Sequence, residues 1–324
     1  MIEIQYLYKL IMVFLYAAFA TYVSFYYLKR KFLKKGFFVF DMYKKEKPKV
    51  ANLGGMCIWI GILVSIVLSQ LLLKEFSTEK LLVFYFVVFI HATFGLLDDL
   101  INLSQKIKII APFFMALPIA LLNTDTTFNL IFITLNLGLI MVYLLAPLFL
   151  MVVTNLTNTH SGYNGLASGL SLLLLFFLGV RSVLLADYTS LYFLMPVFGA
   201  VFIWTLIGDR YPAKMIWGNV GSLMVGSAIA AYMVLTRAYI FGLIILIPHI
   251  FDFLLFVYSV TFGKKKFDNI KFGKLRKDGT IIAPTKYKLK FLLPYYFKLS
   301  EKRTTLVLYA LTFVFGVIGI LLNV

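Results

Sequence analysis

The chain has a single cysteine in 324 residues, Cys57, which excludes an intramolecular disulfide and any cysteine metal cluster, and Cys57 reads as a core residue. Acid is scarce as well: 14 Asp and Glu stand against 31 Lys and Arg, for a net charge of +17. Charged residues of both signs make up only 14% of the chain while 61% is hydrophobic, a balance that excludes a soluble globular domain of this size. There is no linker, no low-complexity tract and no repeat of fixed period. The N-terminus lacks a short apolar stretch followed by a small-residue cleavage site, so no removable signal peptide is expected. The alternation of segments about ten residues long that a β-barrel needs is missing too.

What is present is long apolar runs. A bilayer core of about 30 Å takes roughly 20 apolar residues per helix, and ten such spans are expected near 6–28, 51–73, 81–97, 108–122, 129–153, 165–186, 190–208, 219–236, 238–262 and 305–323. The fold class is therefore all-α, a polytopic integral membrane protein forming one domain over residues 1–324. In a prokaryote it would sit in the cell membrane. Of the 31 basic residues, 26 fall on odd-numbered loops. By the positive-inside rule those loops are cytoplasmic and both termini lie outside. Such basic charge on a polytopic protein points to orientation and anionic lipid rather than to nucleic acid. Two basic loops are extended, 29–50 and 263–304, and Asp278-Gly279 in the second reads as a tight turn within a small β-hairpin.

Four polar clusters fall between spans, all on odd loops: "DDLINLSQKIK" (98–108), "TNLTNTHSGYNGLASG" (154–169), "GDRYPAKMIWGNVGS" (208–222) and the loop 263–304. A site built from loop ends on one face needs that arrangement. Asp98 and Asp99 can be read as a solvated helix-end pair, as an ion relay, or as ligands of Mg²⁺, which prefers oxygen and keeps several waters. Lys106 and Lys108 beside them favour the metal and phosphate reading. In the second cluster Asn155, Asn158 and Asn164 with Gly162, Gly165 and Gly169 are either a glycine-rich turn or amide ligands with backbone N–H groups for a phosphate. His160, without a second histidine nearby, reads as a polar loop residue rather than a zinc ligand. His249 and Asp252 read as a satisfied structural pair, and Arg181 and Asp187 as interfacial residues.

On these residues the chain resembles the polyprenyl-phosphate N-acetylhexosamine-1-phosphate transferases, most closely the dolichyl-phosphate N-acetylglucosamine-1-phosphotransferase branch of eukaryotes and archaea. "DDLINLSQKIKIIAP" carries the acid pair, Asn102, Lys108 and Pro112. The "NxxNxxxGxNGL" pattern is met by Asn155, Asn158, Gly162, Asn164, Gly165 and Leu166, and a third motif is met in part by Tyr211, Pro212, Gly218 and Gly221. The resemblance implies ten spans, a cytoplasmic active site, and transfer of a sugar-1-phosphate from a UDP-sugar to a polyprenyl phosphate with release of UMP, the first step of lipid-linked glycan assembly. It implies Mg²⁺, with Mn²⁺ as a substitute. The expected partners are a UDP-N-acetylhexosamine, a polyprenyl or dolichyl phosphate, the membrane and a second copy of the chain as a homodimer, and no nucleic acid. Asp98 and Asp99 are implied as the catalytic pair with Lys108 as a phosphate contact. Asn158 is implied at the metal and Asn164 with Gly165 at the nucleotide; Asn219 and Asp209 are further expected at the metal, and Asn102, Asn155, Lys47 and Arg276 at the substrates.

Two positions depart from the family pattern. Gly218-Asn219 stands where Gly-Asp is usual, and an amide oxygen brings no charge to a metal; Asp209, ten residues earlier, is expected to restore part of it. "KKKFDNIKFGKLRKDG" (264–279) keeps basic charge but lacks an Arg-His-Arg-like motif that contacts diphosphate and sugar, so the sugar does not carry over. The alternatives are an ion-coupled transporter using the acid pair, which would hold its polar residues near the bilayer midplane, and a homologue that binds lipid phosphate without catalysis.

Overall fold

The computed structural model describes residues 4–73, 78–122, 125–129, 133–262 and 272–322. Helix α1 (Ile4–Lys34) runs on past its apolar part into Lys29, Arg30, Lys31 and Lys34, and is followed by a hairpin of β1 (Phe38–Phe40) and β2 (Lys49–Ala51). Then come α2 (Gly55–Leu73), α3 (Thr78–Ile101) and α4 (Gln105–Ala116), the last continuing into a 3-10 segment, Leu117–Leu121. A hairpin of β3 (Thr127–Asn129) and β4 (Thr134–Asn136) precedes a π-type turn, Met141–Leu145, that leads into α5 (Ala146–Thr159). Helices α6 (Leu166–Leu184), α7 (Tyr188–Ile207), α8 (Gly218–Leu235), α9 (Tyr239–Ile245) and α10 (Ile247–Phe262) follow. A third hairpin, β5 (Lys274–Leu275) with β6 (Ile281–Ile282), leads to the short α11 (Leu289–Phe297) and to α12 (Glu301–Leu321).

Among the described residues eight helices are long and apolar enough to cross a membrane, and α9 with α10 makes a ninth if the pair, bent by 67°, is one span. The protein is thus an all-α integral membrane protein, with three differences from the ten continuous spans expected. Span 238–262 is broken because Pro248 has no N–H for Ile244 and its ring crowds that carbonyl. Span 108–122 is met by α4, twelve residues that begin earlier at Gln105 and end at Ala116, and by five 3-10 residues, with Pro112 and Pro118 each removing an N–H from the ladder. Span 129–153 starts only at the turn before α5, since Thr134–Asn136 is a strand.

The core forms around α8, which is buried without a break from Val220 to Val234. Glycines on its neighbours let them come close: α3 meets it at Gly95, where a Cβ would overlap the Asn219 carbonyl, and α2 at Gly55, where a Cβ would overlap the Gly221 backbone. Helix α5 covers another side of α8, α1 lies on α2 and α7, and α12 lies on α6 and α9. Cys57 is fully buried in this core. The Asp278-Gly279 turn closes the β5–β6 hairpin as expected, with Gly279 N–H donating to the Arg276 carbonyl at 3.0 Å.

Candidate functional site

One end of the helices gathers the polar residues. The C-terminal ends of α3 and α5 meet the N-terminal ends of α2, α6, α8 and α12 there, together with the β1–β2 loop and the loop between α7 and α8. Backbone bonds weld these pieces: Ile216 N–H donates to the Ala51 carbonyl, and Gly54 and Gly55 N–H donate to the Ile216 and Trp217 carbonyls, all at 2.8 Å. They enclose a cavity of about 280 Å³ lined by Asp99, Asn158, Asn219 and Asp209 among others, with the turn Ser161–Asn164 forming one wall. That volume lies just below the usual range for ligand sites.

Asp98 and Asp99 sit side by side in the last turns of α3 and have different surroundings. Asp98 is 3% exposed and both its oxygens are engaged by protein: Lys108 Nζ lies 2.8 Å from Oδ1, the Leu103 N–H donates to Oδ1 at 2.9 Å, and Asn219 Nδ2 donates to Oδ2 at 2.9 Å. Asp99 lines the cavity, and its Oδ2 accepts the Val220 N–H at 3.0 Å. Gly218, at φ +70°, passes so close that a Cβ would overlap that same Oδ2, so only glycine serves there. Lys108, expected at a phosphate, is the counter-ion of Asp98. Asn102 stands exposed in the α3–α4 turn at φ +50°, 3.5 Å from Lys108 Nζ.

Asn158 lines the cavity at the end of α5, and its Oδ1 accepts the Ser222 hydroxyl at 2.6 Å. Asn155 does not reach the cavity; its Nδ2 donates to the Met151 carbonyl one turn back. Asp209 does reach it, accepting the Ser168 hydroxyl at 2.8 Å, and burial pushes its carboxyl up to about 6 against the pull of that hydroxyl and the Gly165 N–H. The backbone of Gly165 is thus turned to the protein, with its carbonyl accepting from the Tyr309 hydroxyl.

Asn164 is a bracket. Its Oδ1 accepts from Lys44 Nζ at 2.9 Å and from the Ala213 N–H at 3.0 Å, while its own N–H donates to Glu301 Oε1 at 2.7 Å. Lys44 also reaches Glu301 Oε2 at 2.6 Å and Asp41 Oδ2 at 3.2 Å and lies over the Tyr211 ring. Sequence reasoning placed Lys47 at the site and missed Lys44. Lys47 is exposed and Lys44 is held inside, and the one available signal was Asp41 three residues before Lys44, ion-pair spacing on a turn.

Arg276 folds back on its own hairpin, donating to the Ile281 carbonyl at 2.9 Å. Residues 264–271 of the basic stretch lie outside the described residues. His160 is no loop-surface residue: it is buried, and the His249 ring stands edge-on to it at 4.7 Å. His249 does not pair with Asp252, whose Oδ1 accepts the Leu289 N–H at 2.6 Å. Sequence distance hid the histidine pair, because α5 and α10 meet only in the folded chain.

The carboxylates lining the cavity are Asp99 from α3, Asp209 from the α7–α8 loop and Asp41 from the β1–β2 loop, and the amides are Asn158 from α5, Asn219 from α8 and Asn164; Asp41 and Asn164 are already engaged by Lys44, which leaves the other four for a ligand. These are hard oxygen donors of the kind a small divalent cation takes together with waters. Among the described residues no three His, Cys, Asp or Glu side chains group closely enough to hold a metal, so amide oxygens, water and a ligand's own oxygens would complete such a shell.

The sequence model described as "glycosyl transferase family 4" matches residues 81–237. A putative glycosyltransferase of Methanocaldococcus jannaschii is 30% identical over 88% of this chain and 88% of its own. A putative UDP-N-acetylglucosamine–dolichyl-phosphate N-acetylglucosaminephosphotransferase of Saccharolobus solfataricus is 25% identical over 94% of both chains. A probable undecaprenyl-phosphate N-acetylglucosaminyl 1-phosphate transferase of Bacillus subtilis is 27% identical over 84% of this chain and 73% of its own.

Proposed function

We infer the reaction from one premise: the chain belongs to glycosyl transferase family 4. It is a membrane-embedded sugar-1-phosphate transferase acting with polyprenyl phosphate. We propose that its donor is a UDP-N-acetylhexosamine, UDP-GlcNAc first, its acceptor a polyprenyl or dolichyl phosphate, and UMP the leaving group. The lipid phosphate oxygen bonds to the phosphorus that carries the sugar, the bond from that phosphorus to the bridging oxygen breaks, and the bridging oxygen leaves with UMP. The observation that carries this reading is the cavity, where Asp99, Asn158, Asn219 and Asp209 present oxygens at the ends of membrane helices. A long isoprenoid can stay in lipid while its phosphate reaches such a place.

Those four residues would hold the divalent cation, which offsets charge on the diphosphate and on the departing UMP. The protein's part is position. Asp98 with Lys108 and Asn219 keeps Asp99 in place, the Val220 N–H fixes the Asp99 carboxylate, and Ser222 fixes Asn158. In-line alignment of acceptor, phosphorus and leaving oxygen then does most of the work in phosphoryl transfer. We place this end of the helices in the cytoplasm and both termini outside, which the 26 of 31 basic residues on odd loops support.

The test is purified protein with labelled UDP-GlcNAc or other UDP-HexNAc donors, a polyprenyl phosphate and Mg²⁺ or Mn²⁺, followed for UMP and lipid-linked sugar. No product from any donor with either metal would overturn the reading and favour a non-catalytic phosphate-binding homologue. Asp209→Asn is expected to weaken Mg²⁺ roughly ten- to hundredfold, read from the metal dependence of the rate. Asn219→Asp exchanges a donor to Asp98 for a third carboxylate beside it, so its melting temperature should climb more steeply with Mg²⁺ than that of the wild type. Unchanged metal affinity in Asp209→Asn would remove Asp209 from the metal.

A further inference from the structure

Lys290 opens α11 and is 8% exposed, a long cation inside the protein. Its Nζ donates to the Ser161 carbonyl at 2.6 Å, and no carboxylate lies within ion-pairing distance of it among the described residues. An ammonium has three donors, and a buried one with a single hydrogen-bond acceptor is costly even with the Phe291 and Tyr163 rings 5.1 and 5.8 Å away. Stability alone does not call for a lysine here, since an apolar side chain of similar length would fill the space without that cost. The place explains the choice. Ser161 and Gly162 line the cavity, and Gly162, at φ +107°, is where a Cβ would overlap Lys290 Nζ. The amine therefore comes up behind the cavity wall at the one residue without a side chain. The grip is mutual, because the Tyr163 hydroxyl donates to the Lys290 carbonyl at 2.9 Å.

We propose that Lys290 is a positioning residue for the donor's diphosphate, setting the Ser161–Tyr163 turn and placing a positive charge directly behind it where the anion rests. The proposal builds on the reading of the site as a nucleotide-sugar site. The groups facing Lys290 are His160 from the end of α5, Asp252 from α10, the Tyr163 ring of the turn, and Lys288 and the Phe291 ring from its own segment, with His249 of α10 against His160. Burial and Lys288 push the Lys290 amine down to about 7, with Asp252 opposing, and burial pushes His160 down to about 3. Lys290 is then largely neutral in the empty protein at about pH 8 and is charged by an anion across Gly162.

The experiment is calorimetric titration of the full-length protein with UDP-GlcNAc, whose diphosphate diester does not titrate near neutrality, and with uridine, at about pH 8 in buffers of different ionisation enthalpy. Wild type should take up a proton with UDP-GlcNAc and none with uridine. Lys290→Met should lose that uptake and weaken UDP-GlcNAc roughly ten- to hundredfold with uridine affinity unchanged. Lys290→Arg should restore affinity without proton uptake. Equal weakening of both ligands, or wild-type affinity in Lys290→Met, overturns the proposal while leaving the enzyme reading intact. If wild type binds neither UDP-GlcNAc nor any other UDP-HexNAc, both fall. If Lys290→Met does not fold, proton uptake by the wild type still decides.

Discussion

Asp99→Asn is expected to lower kcat by roughly a thousandfold or more while the protein melts within a few degrees of the wild type. The substitution is nearly isosteric, and the amide oxygen can still accept the Val220 N–H, so the fold keeps its contact and the cavity loses its charge. Asp98→Asn should behave differently. Asp98 does not line the cavity; it ties Lys108, the Leu103 N–H and Asn219 together, and removing its charge leaves Lys108 without its partner. A stability loss of about 1–3 kcal/mol with a smaller fall in kcat is expected. Steady-state kinetics and thermal unfolding of the two variants side by side check this. Equal loss of kcat without loss of stability in both would mean that the two acids share one role.

Lys44→Met is expected to cost about 3–5 kcal/mol of stability, the usual result of removing one partner from a buried ion pair. Lys44 is the cation between Asp41 and Glu301, and both carboxylate side chains are only 4% exposed. Without it two buried acids face each other and Asn164 loses one of the contacts that tie its turn to the β1–β2 loop and α12. Thermal unfolding in detergent measures the loss, with Lys47→Met, an exposed neighbour, expected within about 0.5 kcal/mol of the wild type. Adding Glu301→Gln to Lys44→Met should recover part of the loss, because one uncompensated charge is then gone. If the double variant is as unstable as the sum of the singles, the network is not the reason.

Much of the architecture was legible because bilayer thickness imposes a length on every apolar run. The spans at 6–28, 51–73, 165–186, 190–208 and 219–236 correspond closely to helices. The boundaries that failed lie at proline and at short strands. Pro112, Pro118 and Pro248 break ladders that hydropathy averages across, and β3 with β4 takes apolar residues that looked like the start of a helix. The acid pair, the asparagines and the glycines were likewise visible as clusters, since they interrupt apolar runs on alternate loops.

What the sequence determined by itself is that this chain lies in a membrane as helices and carries its polar groups at one set of helix ends. Which group does what was decided by packing. Successive residues on a helix point about 100° apart, so Asp98 and Asp99 cannot face the same surroundings, and the sequence does not say which faces the cavity. The close approach of α3 to α8 at Gly95 decides it, turning Asp99 to the cavity and Asp98 toward Lys108 and Asn219. In the same way Lys44, Glu301, Lys290 and the two facing histidines come from segments far apart in the chain. Only the folded helices bring their charges within a few ångströms of one another, and at that range the low dielectric of the interior makes each pairing matter.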